Sequence, residues 1–204
     1  MINTMTKKFN IIAHEILYSG YFRMEKYRLK HTLFAGGWSE EISREVFSRG
    51  CGVAVILYDP NTDQVILIEQ IRAGALSNPY KAWLIEIVAG GIEPGETAVD
   101  VAHRETLEET GCQIEALHYI NEFYTTPGGV SERISLFCGK VDSTQVTGIH
   151  GLSTEDEDIL VHCVDFETAY RMVDSNEIES AIPIIAIQWL ALNKHKILEQ
   201  WPPR

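Results

Sequence analysis

Glu105, Glu108 and Glu109 fall in the last two turns of a stretch, Thr97–Thr110, that the sequence marks as a helix with Thr97 as N-cap, Asp100 three residues on, and Gly111 just past its end. The spacing puts all three carboxylates on one face of that helix. Local preferences oppose them there. The C-terminal end of a helix already carries partial negative charge, at a cost of about 0.3–1 kcal/mol per carboxylate. Glu105 and Glu109 are also a like-charge pair at i,i+4, which adds to the cost. Arg104 can offset Glu108 four residues on, but only that one carboxylate. Such conflicts mark functional sites. A divalent cation would reverse the sign of every penalty. Mg²⁺ suits this donor set, because it takes carboxylate oxygens, keeps several waters and is completed by substrate phosphates. The alternative is an acidic, solvated helix face.

The elements that must position this helix read as mixed. Ile11–Leu17, Tyr21–His31 and Trp38–Phe47 read as three strands, parted by Ser19-Gly20 and Gly36-Gly37. Cys51–Tyr58 and Gln64–Gln70 form a hairpin across Asp59-Pro60-Asn61-Thr62-Asp63. Trp83–Val88 is a strand ended by Gly90-Gly91, and further strands are expected at Ile114–Tyr124, Arg133–Val141 and Ile159–Asp165. Phe166–Val173 and Ala181–His195 close the chain as helices, with Trp189 read as packing. Strands flanked by a few helices point to an α+β protein or an α/β/α sandwich. The first three strands, about residues 1–48, would be marginal alone and need a partner surface. That surface is either the rest of this chain or a second copy, which would make residues 1–48 a dimerisation element and 49–204 the main domain.

The 204 residues carry 29 Asp and Glu against 17 Lys and Arg, a net charge of −12. Such acidity excludes a general binder of nucleic-acid backbones, which needs a basic face. No apolar run follows Met1–Lys8, so no signal peptide is expected, and no stretch approaches the ~20 apolar residues of a membrane span. Cys51, Cys112, Cys138 and Cys163 form no Cys-x-x-Cys element and read as reduced thiols of a soluble cytoplasmic protein. His31, His103, His118, His150 and His162 show no ligand spacing.

From Gly90 the chain reads Gly-x5-Glu-x7-Arg-Glu-u-x-Glu-Glu-x-Gly-u, with u usually aliphatic. Seven fixed letters make a chance match rarer than about one in 10⁵. This is the Nudix box, and the chain resembles a Nudix hydrolase. Thr106 and Cys112 replace aliphatics at two packing positions, which leaves the chemistry untouched. The similarity runs over nearly the whole chain: Leu17–Phe22, Arg44–Gly50, Ile68–Arg72, Thr126-Pro127-Gly128-Gly129 with Ser131-Glu132-Arg133, and Gly148–Leu152 leading into Glu155-Asp156-Glu157-Asp158. These segments look like the bacterial ADP-ribose pyrophosphatase branch, which the Pro127 element separates from other Nudix enzymes.

That resemblance implies a Nudix α/β/α sandwich with a mixed sheet, plus an N-terminal three-stranded antiparallel subdomain swapped in a homodimer. It implies Mg²⁺, replaceable by Mn²⁺, held by Glu105, Glu108, Glu109, the Ala89 carbonyl and Glu157, with Glu155 as general base. Arg104 would orient the helix carboxylates and Arg72 would contact the diphosphate. Tyr21, Phe22, Arg44, Glu45 and Arg49 would form the adenosine pocket. The family position at Tyr21 is often Phe, and either ring can stack on adenine. Gly91, Thr126, Pro127, Gly128 and Glu132 would line the diphosphate and terminal ribose. Without the box, the four acids at 155–158 would read as a solvated loop, and Arg72, Arg44 and Arg49 as ordinary surface charges. In a chain this acidic, however, local arginines and cations must overcome a field that repels an anionic substrate. The implied reaction is Mg²⁺-dependent hydrolysis of ADP-ribose to AMP and ribose 5-phosphate. The rivals are a pyrophosphatase for another nucleotide sugar or dinucleotide, and a non-catalytic ADP-ribose sensor, which would have no need of the carboxylate cluster.

Overall fold

The structure, a computed structural model, describes residues 6–146 and 148–204. The reading of the N-terminal run over residues 1–5 lies outside them. The chain gathers into two compact units, Met1–Gly50 with Tyr124–Arg133, and Cys51–Phe123 with Ile134–Arg204.

In the first unit β1 (Phe9–Ser19), β2 (Arg23–His31) and β3 (Ile42–Ser48) form an antiparallel sheet in that order. Trp38 does not begin the third strand. It bridges Thr32, and the Ser39 hydroxyl accepts the His31 N–H at 3.0 Å, so the turn closes tightly and pairing resumes only at Ile42. Residues 124–133 join this unit through β3. The Phe47 N–H donates to the Gly129 carbonyl at 2.8 Å, and its carbonyl accepts from the Ser131 N–H at 3.1 Å.

The second unit holds β4 (Cys51–Asp59), β5 (Gln64–Ile71), β6 (Trp83–Glu86), β7 (Val88–Gly91), α1 (Ala98–Thr110), β8 (Ala116–Tyr124) and β9 (Arg133–Lys140). After these come β10 (Ile149–His150), β11 (Ile159–Asp165), α2 (Phe166–Asp174) and α3 (Ala181–Gln200), the last running past the expected end at His195. The sheet order is β10-β11-β5-β4-β9-β8, with β6 on β5 and β7 on β4. Val53–Tyr58 is buried throughout, as a strand covered on both faces must be. Ala54, Ile56 and Tyr58 pack in a core with Ala186, Ile187 and Leu190 of α3. The alternate residues Val53, Val55 and Leu57 pack in a second core with Val101 and Ala102 of α1. One strand thus feeds both layers of an α/β/α sandwich.

The strand expected over Trp83–Val88 is two strands, and Gly90-Gly91 lies within the second. β4 and β5 pair with each other only over Leu57–Asp59 and Gln64–Ile66. Beyond that, β6 pairs with β5 and β7 with β4, the change of partner falling at the buried Ile87. This crossing places Ala89 and Gly90 beside α1.

Candidate active site

The first turn of α1 carries a complete capping box. Thr97 Oγ1 accepts from the Asp100 N–H at 3.2 Å, and Asp100 Oδ2 accepts from the Thr97 N–H at 3.0 Å. The helix ends at Gly111, whose φ of 71° is the left-handed cap geometry that glycine adopts without strain.

Arg104 does more than neutralise Glu108. Its Nε and Nη2 grip both oxygens of Glu96 at 2.8 and 3.1 Å, and Nη1 donates to Glu105 at 2.8 Å and to Glu108 at 3.0 Å. Nη2 also reaches the Gly91 carbonyl at 3.4 Å. One guanidinium therefore organises three carboxylates and the end of β7. Glu96, eight residues before Arg104, is a fixed letter of the box for which spacing alone suggests no partner.

Glu109 is buried, and its Oε2 accepts the Ala89 N–H at 3.0 Å. Burial pushes its carboxyl well above the ordinary range, and the charges of Glu105 and Glu157 push it further. Burial likewise raises Glu105 to about 7, against the pull of Arg104. The Glu105 carboxylate occupies the space over Gly90, where a Cβ would overlap Oε1. The glycine is required by this close approach rather than by a strand end.

The acidic loop is tied to the same helix. The Gly151 N–H donates to the Glu108 carbonyl at 3.2 Å, and the His150 ring lies against Gly111. Glu157 is half-buried and turns Oε2 toward its own loop, accepting the Leu152 N–H at 3.1 Å. Glu155 ends a single 3₁₀ turn, Ser153–Glu155, and is exposed. Arg72, directly after β5, donates Nε to Glu86 Oε2 at 2.6 Å, and its charge is felt at Glu109. Glu86 carries no signal in the sequence, since its partner lies 14 residues away, just past the end of the neighbouring strand.

Among the described residues no three His, Cys, Asp or Glu side chains stand close enough to enclose an ion as they are. The donor set nevertheless fits a hard cation. Glu105 and Glu109 are withdrawn from water, repel each other and are repelled by Glu157. Added positive charge is what they lack.

The remaining expected residues belong to the first unit. Phe22 packs edge-on against Tyr21 at 4.6 Å between centroids and at a tilt against Phe47 at 4.8 Å, with the Arg49 guanidinium 5.6 Å from its ring. Arg49 Nη1 pairs with Glu132 at 2.9 Å, and the turn Thr126–Val130 closes on the Thr126 carbonyl. Tyr21, Phe22, Arg49 and Glu132 are thus brought together, with Phe47 as an unforeseen member. Arg44 and Glu45 are exposed neighbours on β3, so their side chains leave opposite faces of the sheet.

A NUDIX domain model matches residues 48–202. The chain is 46% identical over 191 residues to the ADP-ribose pyrophosphatase of Escherichia coli K12, covering 94% of this chain and 91% of the relative. It is 45% identical over 194 residues to that of Haemophilus influenzae, covering 94% and 89%. A GDP-mannose pyrophosphatase of Shigella flexneri is 30% identical over 190 residues, covering 93% and 98%. A crystal structure of an ADP compounds hydrolase shares the fold, with a TM-score of 0.69 over 97% of both chains at 17% identity.

Proposed function

The chain belongs to the Nudix family, and we propose that it hydrolyses the diphosphate bond of ADP-ribose, giving AMP and ribose 5-phosphate. The observation that carries the reading is the pair of mutually repelling carboxylates at a helix end that disfavours them: half-buried Glu105, held by Arg104, and buried Glu109, held by the Ala89 N–H. The choice of substrate leans on the ADP-ribose pyrophosphatases at 45–46% identity, against 30% for the GDP-mannose enzyme.

Glu105, Glu108, Glu109, Glu157 and the Ala89 carbonyl would hold Mg²⁺, or Mn²⁺ in its place. When bound, the cation neutralises charge on the diphosphate and lowers the pKa of water. Glu155 takes the proton of the water that attacks phosphorus in line, its exposed position on a short turn leaving it free to approach. Arg104 keeps the helix carboxylates in place, and Arg72 binds the diphosphate. Tyr21 and Phe22 offer ring faces to adenine, with Arg44, Glu45 and Arg49 around the adenosine. Gly91, Thr126, Pro127, Gly128 and Glu132 line the diphosphate and the terminal ribose.

Residues 1–48 form the dimerisation element, exchanged between two copies, and residues 49–204 the hydrolase domain. Exposed Phe9, Ile16 and Tyr18 on β1 give such an association apolar surface to bury. The four cysteines are unpaired, which suits a reducing compartment such as the cytoplasm. No helix among the described residues is long and apolar enough to cross a membrane.

The test is a panel of ADP-ribose, GDP-mannose, NADH and diadenosine compounds with Mg²⁺ in H₂¹⁸O, with products weighed by mass spectrometry. The expected result is the highest kcat/KM on ADP-ribose, with ¹⁸O in one of its two monophosphate products. Preference for another substrate, or no cleavage of any, would overturn the reading.

A further inference from the structure

We propose that Glu86 is a positioning residue that holds the Arg72 guanidinium ready for the substrate's diphosphate; this rests on the assignment of Arg72 made above. The backbone of Arg72 is fixed on both sides. Its N–H donates to the Ala82 carbonyl at 2.8 Å, and its own carbonyl accepts the Ala75 N–H at 2.8 Å. Glu86 fixes the side chain at a third point. It ends β6, and its largely buried carboxylate takes Arg72 Nε at 2.6 Å. A guanidinium has five donors in a planar fork, so engaging Nε from the side leaves the terminal Nη groups to meet an anion in a bidentate fashion.

The surroundings explain why a holder is needed. The positive charge of Arg72 pulls down the Glu109 carboxyl, so its field reaches that residue of α1. A loose Arg72 would be free to turn toward Glu109, whereas Glu86 gives it a partner at the end of the adjoining strand β6. Glu69, on β5 itself, is already engaged by His162 at 2.8 Å. Fixing a rotamer-rich side chain before the substrate arrives spares the entropy that binding would otherwise spend on it. The opposing effect is that Glu86 cancels part of the charge an anion would feel. The two effects move KM in opposite directions, so measurement separates them.

The experiment is steady-state hydrolysis of ADP-ribose with Mg²⁺ by Glu86→Gln, Glu86→Asp, Arg72→Gln and the double variant Arg72→Gln/Glu86→Gln. Glu86→Gln should raise KM about tenfold with kcat within about twofold, the size of effect expected from freeing one long side chain. Glu86→Asp, which keeps the charge but shortens the reach, should also raise KM. In the Arg72→Gln background Glu86→Gln should add nothing, since Glu86 acts only through that guanidinium. A KM that is unchanged or lowered in Glu86→Gln, a wild-type KM in Glu86→Asp, or additive effects in the double variant would overturn the proposal. A wild-type KM in Arg72→Gln would instead remove Arg72 from the diphosphate, a result distinct from failure at Glu86 alone. Circular-dichroism melting confirms that each variant is folded, and Glu86→Asp stands in should Glu86→Gln fail to fold.

Discussion

In its first turn α1 exchanges two hydrogen bonds between Thr97 and Asp100, with the acid where the helix dipole welcomes it. In its last two turns the same helix holds Glu105, Glu108 and Glu109 where the dipole repels them, two of them withdrawn from water. The first half is chosen for folding alone. The second half is arranged at the expense of folding, and Arg104 is the device that makes it tolerable, tying Glu105 and Glu108 back to Glu96 before the helix. Substitutions should therefore divide cleanly: in the first turn they cost stability and spare activity, in the last turns they cost activity and spare stability.

The largest effects are expected at the second half and its partner loop. Glu109→Gln should lower kcat by at least about 10²-fold in a folded protein, the scale of losing one preorganised electrostatic group. Glu155→Gln should cost about 10²–10⁴-fold in kcat, the scale of losing a general base, with KM little changed. Initial rates with saturating ADP-ribose check both. Gly90→Ala should come next, because its Cβ would overlap Glu105 Oε1 and push that carboxylate from its place. We expect about 1–3 kcal/mol of destabilisation from the clash, together with weakened metal binding, read by denaturant melts and Mg²⁺ titration. Thr97→Ala should be the smallest, costing about 1 kcal/mol in the same melts and leaving kcat near wild type.

A pH dependence follows from Glu105. In the folded protein it keeps its proton up to about 7, whereas its ordinary value is 4.5. Between those values the folded state binds more protons than the unfolded state, so metal-free stability should fall as pH rises through this window. The contribution is fully present below about 4.5 and gone above about 7. Thermal melts from pH 4 to 8 in EDTA test the sign.

What could be read in advance follows the range of the interactions. The capping box, the Gly111 cap and the face shared by the three glutamates lie within one helix, so their spacing in the chain announces them. The hairpin at Asp59–Asp63 is equally local: the Asp59 side chain accepts the Asn61 N–H, and pairing resumes at Gln64. By contrast, the split of residues 83–91 into two strands depends on β4 and β5 parting, which nothing between Trp83 and Gly91 records. The grip of Arg104 on Glu96 bridges a loop, and that of Glu86 on Arg72 bridges two strands. The clasp of residues 129 and 131 on Phe47 joins positions some 80 residues apart. Only the fold brings such partners together. The resemblance supplied site residues whose chemistry the spacing could not have named, such as Glu132, which the structure pairs with Arg49.

The most direct test of the central claim compares thermal midpoints of the wild type and a Glu105→Gln/Glu109→Gln variant, in EDTA and in saturating Mg²⁺, at pH 8. Without metal the variant should be the more stable protein, and Mg²⁺ should raise the midpoint of the wild type alone. A wild type that melts above the variant in EDTA, or gains nothing from Mg²⁺, would contradict it.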